Sequence, residues 1–191
     1  MVKALVLLAE GVEEMEAVIA IDVLRRCGVE VVSAATGGTR EVTASRGVRL
    51  IADLLLQEAP PAGFDALIIP GGAGGARRLA GDPRVLELVR LYVKADKLIA
   101  AVCAGPLVLE AAGVLHGVRI TCHPAVRDQF AGVQICADRV VVDGNFITSQ
   151  GPGTSMEWAL AIAGHLVGDE IADRAAEGLI LKGIRLKAEG C

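Results

Sequence analysis

The residues best placed to do chemistry lie around Cys103. The segment Ala100-Ala101-Val102-Cys103-Ala104-Gly105-Pro106 stands where an apolar run of strand length, Leu98 to Val102, turns abruptly into a helix-forming segment opened by proline. A nucleophile on such an elbow needs small residues two positions before and two after it, so that strand and helix can approach, and Ala101 and Gly105 meet that demand. The following helix aims its N–H groups and positive dipole end at the sulfur. That predicts a thiolate with a pKa below the ordinary ~8.5, nucleophilic and oxidisable. Cys27, Cys122, Cys136 and Cys191 lack this context and read as structural residues.

Glu16 is the second candidate. Its helical neighbours Val12, Ile19, Ala20 and Val23 are apolar, so it falls in the stripe that faces the interior, whereas Asp22 can pair with Arg25 or Arg26 on a solvated side. Desolvation raises a carboxyl pKa, so Glu16 is expected to stay protonated, able to donate to a sulfur anion or to shuttle a proton. Glu13 and Glu14 read as first-turn acids that complement the helix dipole.

A third element is Pro70-Gly71-Gly72-Ala73-Gly74-Gly75-Ala76, a glycine-rich turn after another apolar strand. Arg77 stands where a dinucleotide fingerprint needs glycine, and there is no Walker A pattern. The turn suits presentation of one backbone donor of an oxyanion hole, with Ala104 supplying the other. His123 follows a strand and precedes Pro124, and strand-end loops are where sites are assembled. His116 and His165 fall in a turn and a helix. No pair has zinc-ligand spacing, so neither metal nor cofactor is expected.

These groups need a scaffold, and the chain is patterned for an α/β one. Apolar strands Ala4 to Leu8, Val29 to Ala35, Asp65 to Pro70 and Leu98 to Val102 alternate with helical segments Val12 to Arg26 and Pro83 to Lys94. Strands of that kind belong to a mostly parallel sheet covered on both faces. Glu41 to Asp53 reads as a hairpin-like insert, and Arg139 to Ser149 as a hairpin turning at Asp143-Gly144-Asn145; together they predict a small antiparallel addition to the sheet. Thr154 and Glu157 make a capping-box pattern ahead of a helix over Met156 to Val167. Residues 182–191 read as a loose or docking end.

Composition narrows the class. The 191 residues are 53% hydrophobic but only 3% aromatic, and the formal net charge is −4. The core is therefore aliphatic, disorder is excluded, and the charge balance offers no electrostatic reason to bind a polyanion such as nucleic acid. No apolar run is long and uninterrupted enough to be a membrane helix, since Pro106 and Glu110 break the longest. An odd count of five cysteines without a C-x-x-C pair or a secretory signal reads as a reduced, cytoplasmic setting.

Taken together, Ala9 to Glu16, Leu67-Ile68-Ile69-Pro70-Gly71-Gly72, Ala101 to Pro106, His123-Pro124 and Thr148-Ser149-Gln150-Gly151-Pro152-Gly153-Thr154 resemble the motifs of the DJ-1/ThiJ/PfpI superfamily. The likeness runs from Lys3 to about Leu181. It implies one domain over residues 1–191 with a flavodoxin-like three-layer sandwich, a homodimer, and a site near the dimer interface with Cys103 as nucleophile and redox sensor. By the same resemblance, protonated Glu16 lies against the sulfur, His123 is close by, and Gly72 and Ala104 supply backbone donors. Arg26, Arg46 and Pro152 match positions near the site or interface. Ser149 to Pro152 resembles the bacterial branch, with Gln150 where other members have arginine, and Ala44 and Ile51 replace peripheral cysteines.

The activities implied are a glutathione-independent glyoxalase that makes 2-hydroxy acids from 2-oxoaldehydes such as methylglyoxal, a deglycase acting on glycated protein, and an oxidative-stress chaperone. A redox-sensing chaperone whose Cys103 becomes sulfinate without small-molecule turnover is the alternative. A PfpI-type cysteine peptidase comes third, because a histidine directly after the elbow cysteine would favour it and Ala104 stands there.

Overall fold

The computed structural model describes residues 1–181. The expectation for residues 182–191 lies outside the described residues. Strands β1 (Lys3–Leu8), β2 (Glu30–Ala35), β3 (Glu41–Thr43), β4 (Arg49–Ile51), β5 (Leu54–Leu55), β6 (Ala66–Ile69), β7 (Leu98–Val102), β8 (Arg119–Ile120), β9 (Gln134–Ile135), β10 (Val140–Asp143) and β11 (Phe146–Ser149) are joined by helices α1 (Glu14–Arg26), α2 (Ala73–Ala80), α3 (Pro83–Lys94), α4 (Pro106–Ala112), α5 (Ser155–Val167) and α6 (Asp169–Gly178). Seven strands form one sheet in the order β10-β11-β7-β6-β1-β2-β5. All neighbours pair in parallel except β10 with β11.

Side-chain alternation along β1 divides the core. Ala4, Val6 and Leu8 join a cluster with Ala20 and Leu24 of α1 and Trp158 of α5. Leu5 and Leu7 point the other way, to Val89 and Tyr92 of α3 and Leu109 of α4. A strand sends successive side chains to opposite faces, so both faces of a continuous apolar strand must be covered. The result is the expected three-layer α/β sandwich, whose crossover topology brings the carboxyl ends of β1, β6 and β7 together.

Two local expectations are corrected. The insert at Glu41 to Asp53 does not extend the main sheet: β3 and β4 form a separate antiparallel ribbon. Only β10 and β11, joined through Gly144 at φ 56°, make the antiparallel addition. The capping box at Thr154 is absent, because the Thr154 hydroxyl donates to the Gly151 carbonyl and Glu157 pairs with Arg139. Two helices lay hidden in the sequence, α2 inside the glycine-rich segment and the largely polar α6. Among the described residues no helix is long and apolar enough to cross a membrane.

Candidate active site

Cys103 leaves β7 with φ 62°, a left-handed conformation that costs a residue with a Cβ roughly 1–2 kcal/mol. Three backbone hydrogen bonds hold it there. The Cys103 N–H donates to the Ser149 carbonyl at 2.9 Å, the Gly105 N–H to the Val102 carbonyl at 2.7 Å, and the His123 N–H to the Cys103 carbonyl at 3.0 Å. Gly105 is needed for space, since a Cβ there would lie 2.5 Å from the Ile69 carbonyl oxygen.

Glu16 reaches this elbow from α1. Glu13 caps the helix by accepting from the Glu16 N–H at 2.8 Å, and the Glu13 N–H donates to the Gly71 carbonyl at 3.0 Å. These bonds dock the first turn of α1 on the end of β6. The Glu16 side chain is fully buried, and its Oε2 accepts from the Gly71 N–H at 2.6 Å. A Cβ on Gly71 would lie 2.7 Å from Cys103 Cβ and 2.8 Å from Glu16 Oε2, so the bare Gly71 backbone separates the two side chains. Glu16 Oε1 has no hydrogen bond of ordinary geometry, although the thiol interacts with the carboxyl. The Gly72 and Ala104 amides are both directed at the sulfur.

Burial pushes the Glu16 carboxyl up to about 7, against the pull of the Gly71 amide and with a further push from negative Glu13. Burial likewise pushes the Cys103 thiol up to about 12, reinforced by the Glu16 charge and opposed by the Gly72 and Ala104 amides. The expected low thiol pKa is thereby overturned. One short helix of seven residues and two amides do not offset lost water and a carboxylate alongside. The two groups form one titrating pair that is neutral below about 7 and carries a single negative charge between about 7 and about 12. With the remaining proton on Glu16, repulsion disappears and the sulfur holds the charge in front of two donors.

Other sequence candidates are placed differently. His123 is exposed, its Nδ1 accepts from the Ala125 N–H at 3.2 Å, and it joins the elbow through its backbone. Arg26 pairs with Asp22 at 2.7 Å on the solvated side of α1. The Arg46 N–H donates to Glu14 Oε1 at 2.9 Å while its guanidinium turns to the Ser45 carbonyl. Pro152 is half-buried in the turn after Gly151, which packs near the His123 ring. Within one chain, then, Glu16, Cys103, Gly72 and Ala104 come together, while the side chains of His123, Arg26 and Arg46 make other contacts.

Sequence reasoning missed three contributors. Gly71 holds Glu16, Glu13 caps the helix that carries it, and Glu14 binds the Ser45 hydroxyl at 2.8 Å, tying the β3–β4 ribbon to α1. The doubled glycine after Pro70 was the available signal for the first.

The model of the DJ-1/PfpI family matches residues 2–165. Over 167 residues, or 87% of this chain, the sequence is 46% identical to "Protein DJ-1 homolog B" of Arabidopsis thaliana, a longer protein of which the match spans 38%. It is 40% identical over 181 residues to "Glutathione-independent glyoxalase DJR-1.2" of Caenorhabditis elegans, covering 93% of this chain and 96% of that one. The crystal structure of Drosophila melanogaster DJ-1beta superposes with a TM-score of 0.90 at 40% identity, covering 94% of this chain and 98% of the other. An elbow cysteine against a buried glutamate, on a sheet shared with that structure and within a family match over most of its length, makes this chain a member of the DJ-1/PfpI family.

Proposed function

We propose that the protein is a cysteine-dependent, glutathione-independent glyoxalase that converts 2-oxoaldehydes such as methylglyoxal to 2-hydroxy acids. The observation that carries this reading is the pair of buried Glu16 and half-buried Cys103 divided by the Gly71 backbone, with the Gly72 and Ala104 amides on the sulfur. The thiolate adds to the aldehyde carbon, forming the S–C1 bond, while the carbonyl electron pair moves to oxygen and Glu16 supplies its proton. That gives a hemithioacetal. The Glu16 carboxylate then takes the proton from C1, and the resulting enediol is reprotonated at C2 to leave a 2-hydroxyacyl thioester. Water hydrolyses the thioester, releasing lactate and restoring the thiol. The two amides face the oxyanions that form at the sulfur-bound carbon. The C. elegans relative named as a glyoxalase supports this chemistry.

The same hydrolysis, applied to early adducts on proteins, extends the reading to a deglycase. The working unit is a homodimer. Met15 and Val18 on α1 and Val48 and Ile51 on the adjoining ribbon leave large apolar side chains exposed on a face that a second copy would cover. It would also bring partner groups toward the Arg26 and Arg46 side of the site. Cys27, Cys103 and Cys122 are free thiols, but Cys136 is disulfide-bonded, which corrects the reading of a wholly reduced set of cysteines.

A redox-protective reading has its own support: the unsatisfied, buried Glu16 Oε1 beside Cys103 is placed to donate to a sulfinate oxygen once protonated. Incubation with methylglyoxal, following lactate and using Cys103→Ala as control, separates the two. Lactate that depends on Cys103 supports the glyoxalase. No lactate, with Cys103 sulfinate formed by peroxide, supports the sensor.

A further inference from the structure

A cavity of about 520 Å³ runs beside α3 and shares no residue with the Cys103 site. Leu56, Ala59 and Pro61 form one wall, Leu88 and Leu91 the other, and Leu5 of β1 lies beneath. Its size falls in the range of small-molecule sites, which are commonly apolar with a few placed polar groups. The outer wall is fastened at both ends. Glu58 accepts from the Leu55 N–H at 2.7 Å and pairs with Arg40 at 3.1 Å; beyond Pro61, Lys97 donates to the carbonyls of Ala62 and Phe64 at 2.9 and 2.6 Å. The space therefore exists before anything binds.

Charge on its rim is uneven. Arg84 is neutralised by Asp82 at 2.6 Å and also donates to the Thr36 carbonyl. At the other end of α3, Arg90 is steered by one bond from Nε to the Ala112 carbonyl at 3.0 Å, which leaves its terminal nitrogens unengaged among the described residues. Lys94 makes no ion pair or hydrogen bond among the described residues. Glu87 is the single acid on the rim, against these two cations. From Arg84 to Lys94 the helix advances about 15 Å, roughly the length of a ten-carbon chain.

We infer that this cavity binds an amphipathic carboxylate, a single-chain fatty acid whose alkyl chain lies along Leu88 and Leu91 and whose head meets Arg90 and Lys94. Apolar walls without the cations would take any hydrocarbon, and the cations without the walls would take any small anion. Their conjunction selects a ligand with both parts.

The experiment is calorimetric titration of the full chain with decanoate, octanoate and 1-decanol, below micelle-forming concentrations. Saturable binding of one decanoate per chain is expected, about fifteenfold tighter than octanoate because each of the two extra buried methylenes adds roughly fourfold. Decanol should bind more weakly than decanoate. Lys94→Glu, at an exposed side chain without partners, should weaken decanoate about fivefold or more and leave decanol unchanged. Cys103→Ala should bind decanoate like the native chain, which keeps this result separate from the glyoxalase reading. Absence of saturable binding, equal affinity for decanol and decanoate, indifference to Lys94→Glu, or loss of binding in Cys103→Ala would each overturn the assignment.

Discussion

Strands β6 and β7 lie side by side, pair in parallel and both end in turns that enter helices, yet the two turns are built in opposite ways. After β6, Gly71, Gly72, Gly74 and Gly75 leave the backbone bare. The bare chain lets the turn press against the preceding one: a Cβ on Gly75 would lie 2.8 Å from Val12 Cα, and one on Gly72 would strike the Gly11 carbonyl and lie 2.6 Å from the Glu13 N–H. It also exposes N–H groups to Glu16 and to the sulfur. After β7, a residue with a side chain occupies a left-handed backbone and is held by hydrogen bonds to two other segments, at Ser149 and His123. One turn supplies donors by having no side chains; the other spends backbone strain to aim one. Active-site strain of this kind persists only where the surroundings over-determine it.

The largest effect should come from removing the aimed atom. Cys103→Ala is expected to lower lactate formation from methylglyoxal by about 10³-fold or more while the chain still folds. Lactate production at the native rate would mean that the elbow holds the wrong residue.

Filling the bare turns should cost stability instead. Gly105→Ala and Gly72→Ala, whose new methyl groups meet backbone, are each expected to lose about 3 kcal/mol or more in chemical denaturation. Gly74→Ala, where the nearest atom is the far end of the Arg78 side chain at 3.3 Å rather than backbone, should be neutral or stabilising by up to about 1 kcal/mol. Equal losses at Gly74 and Gly72 would show that close backbone approach is not what the glycines are for.

Glu16→Gln probes the contact between the turns through pH. The folded pKa of about 7 lies above the ordinary 4.5, so the native state holds this proton more tightly than the unfolded chain. Its stabilising contribution is complete below 4.5 and is lost as pH rises to 7, by about 3 kcal/mol in all. Glu16→Gln should therefore exceed the native chain in stability at pH 8 and lose that advantage near pH 4, in denaturant melts at the two pH values. A constant difference would deny Glu16 its raised pKa. The smallest effect compares Cys103→Gly with Cys103→Ala, where relief of the left-handed strain should favour glycine by about 1 kcal/mol.

Much of this was legible in the chain. The limits of β7 and α3 match the sequence reading because β-branched and aliphatic residues fill the strand and proline and glycine punctuate around them. The elbow at Cys103 and the burial of Glu16 follow from residue size and helical spacing. What could not be read depends on contacts between distant segments. Thr154 carries a capping pattern, but the Gly151 carbonyl and the Ser149 hydroxyl claim its side chain. His123 was expected close to Cys103, and its backbone N–H does bond the Cys103 carbonyl, but that its Nδ1 accepts from the Ala125 N–H could not be read from spacing. The sign of the Cys103 shift reflects burial and the neighbouring carboxyl outweighing a helix end, a balance of magnitudes that spacing does not encode.

The account rests on Glu16 and Cys103 acting as one proton-sharing pair, and the most direct test is the rate of Cys103 alkylation by iodoacetamide as a function of pH, read by peptide mapping in the native chain and in Glu16→Gln. The native profile should rise through an inflection near 7, where the pair gains its negative charge, and Glu16→Gln should lack that inflection. Identical profiles in the two proteins would contradict a shared proton and leave Glu16 as no more than a buried structural acid.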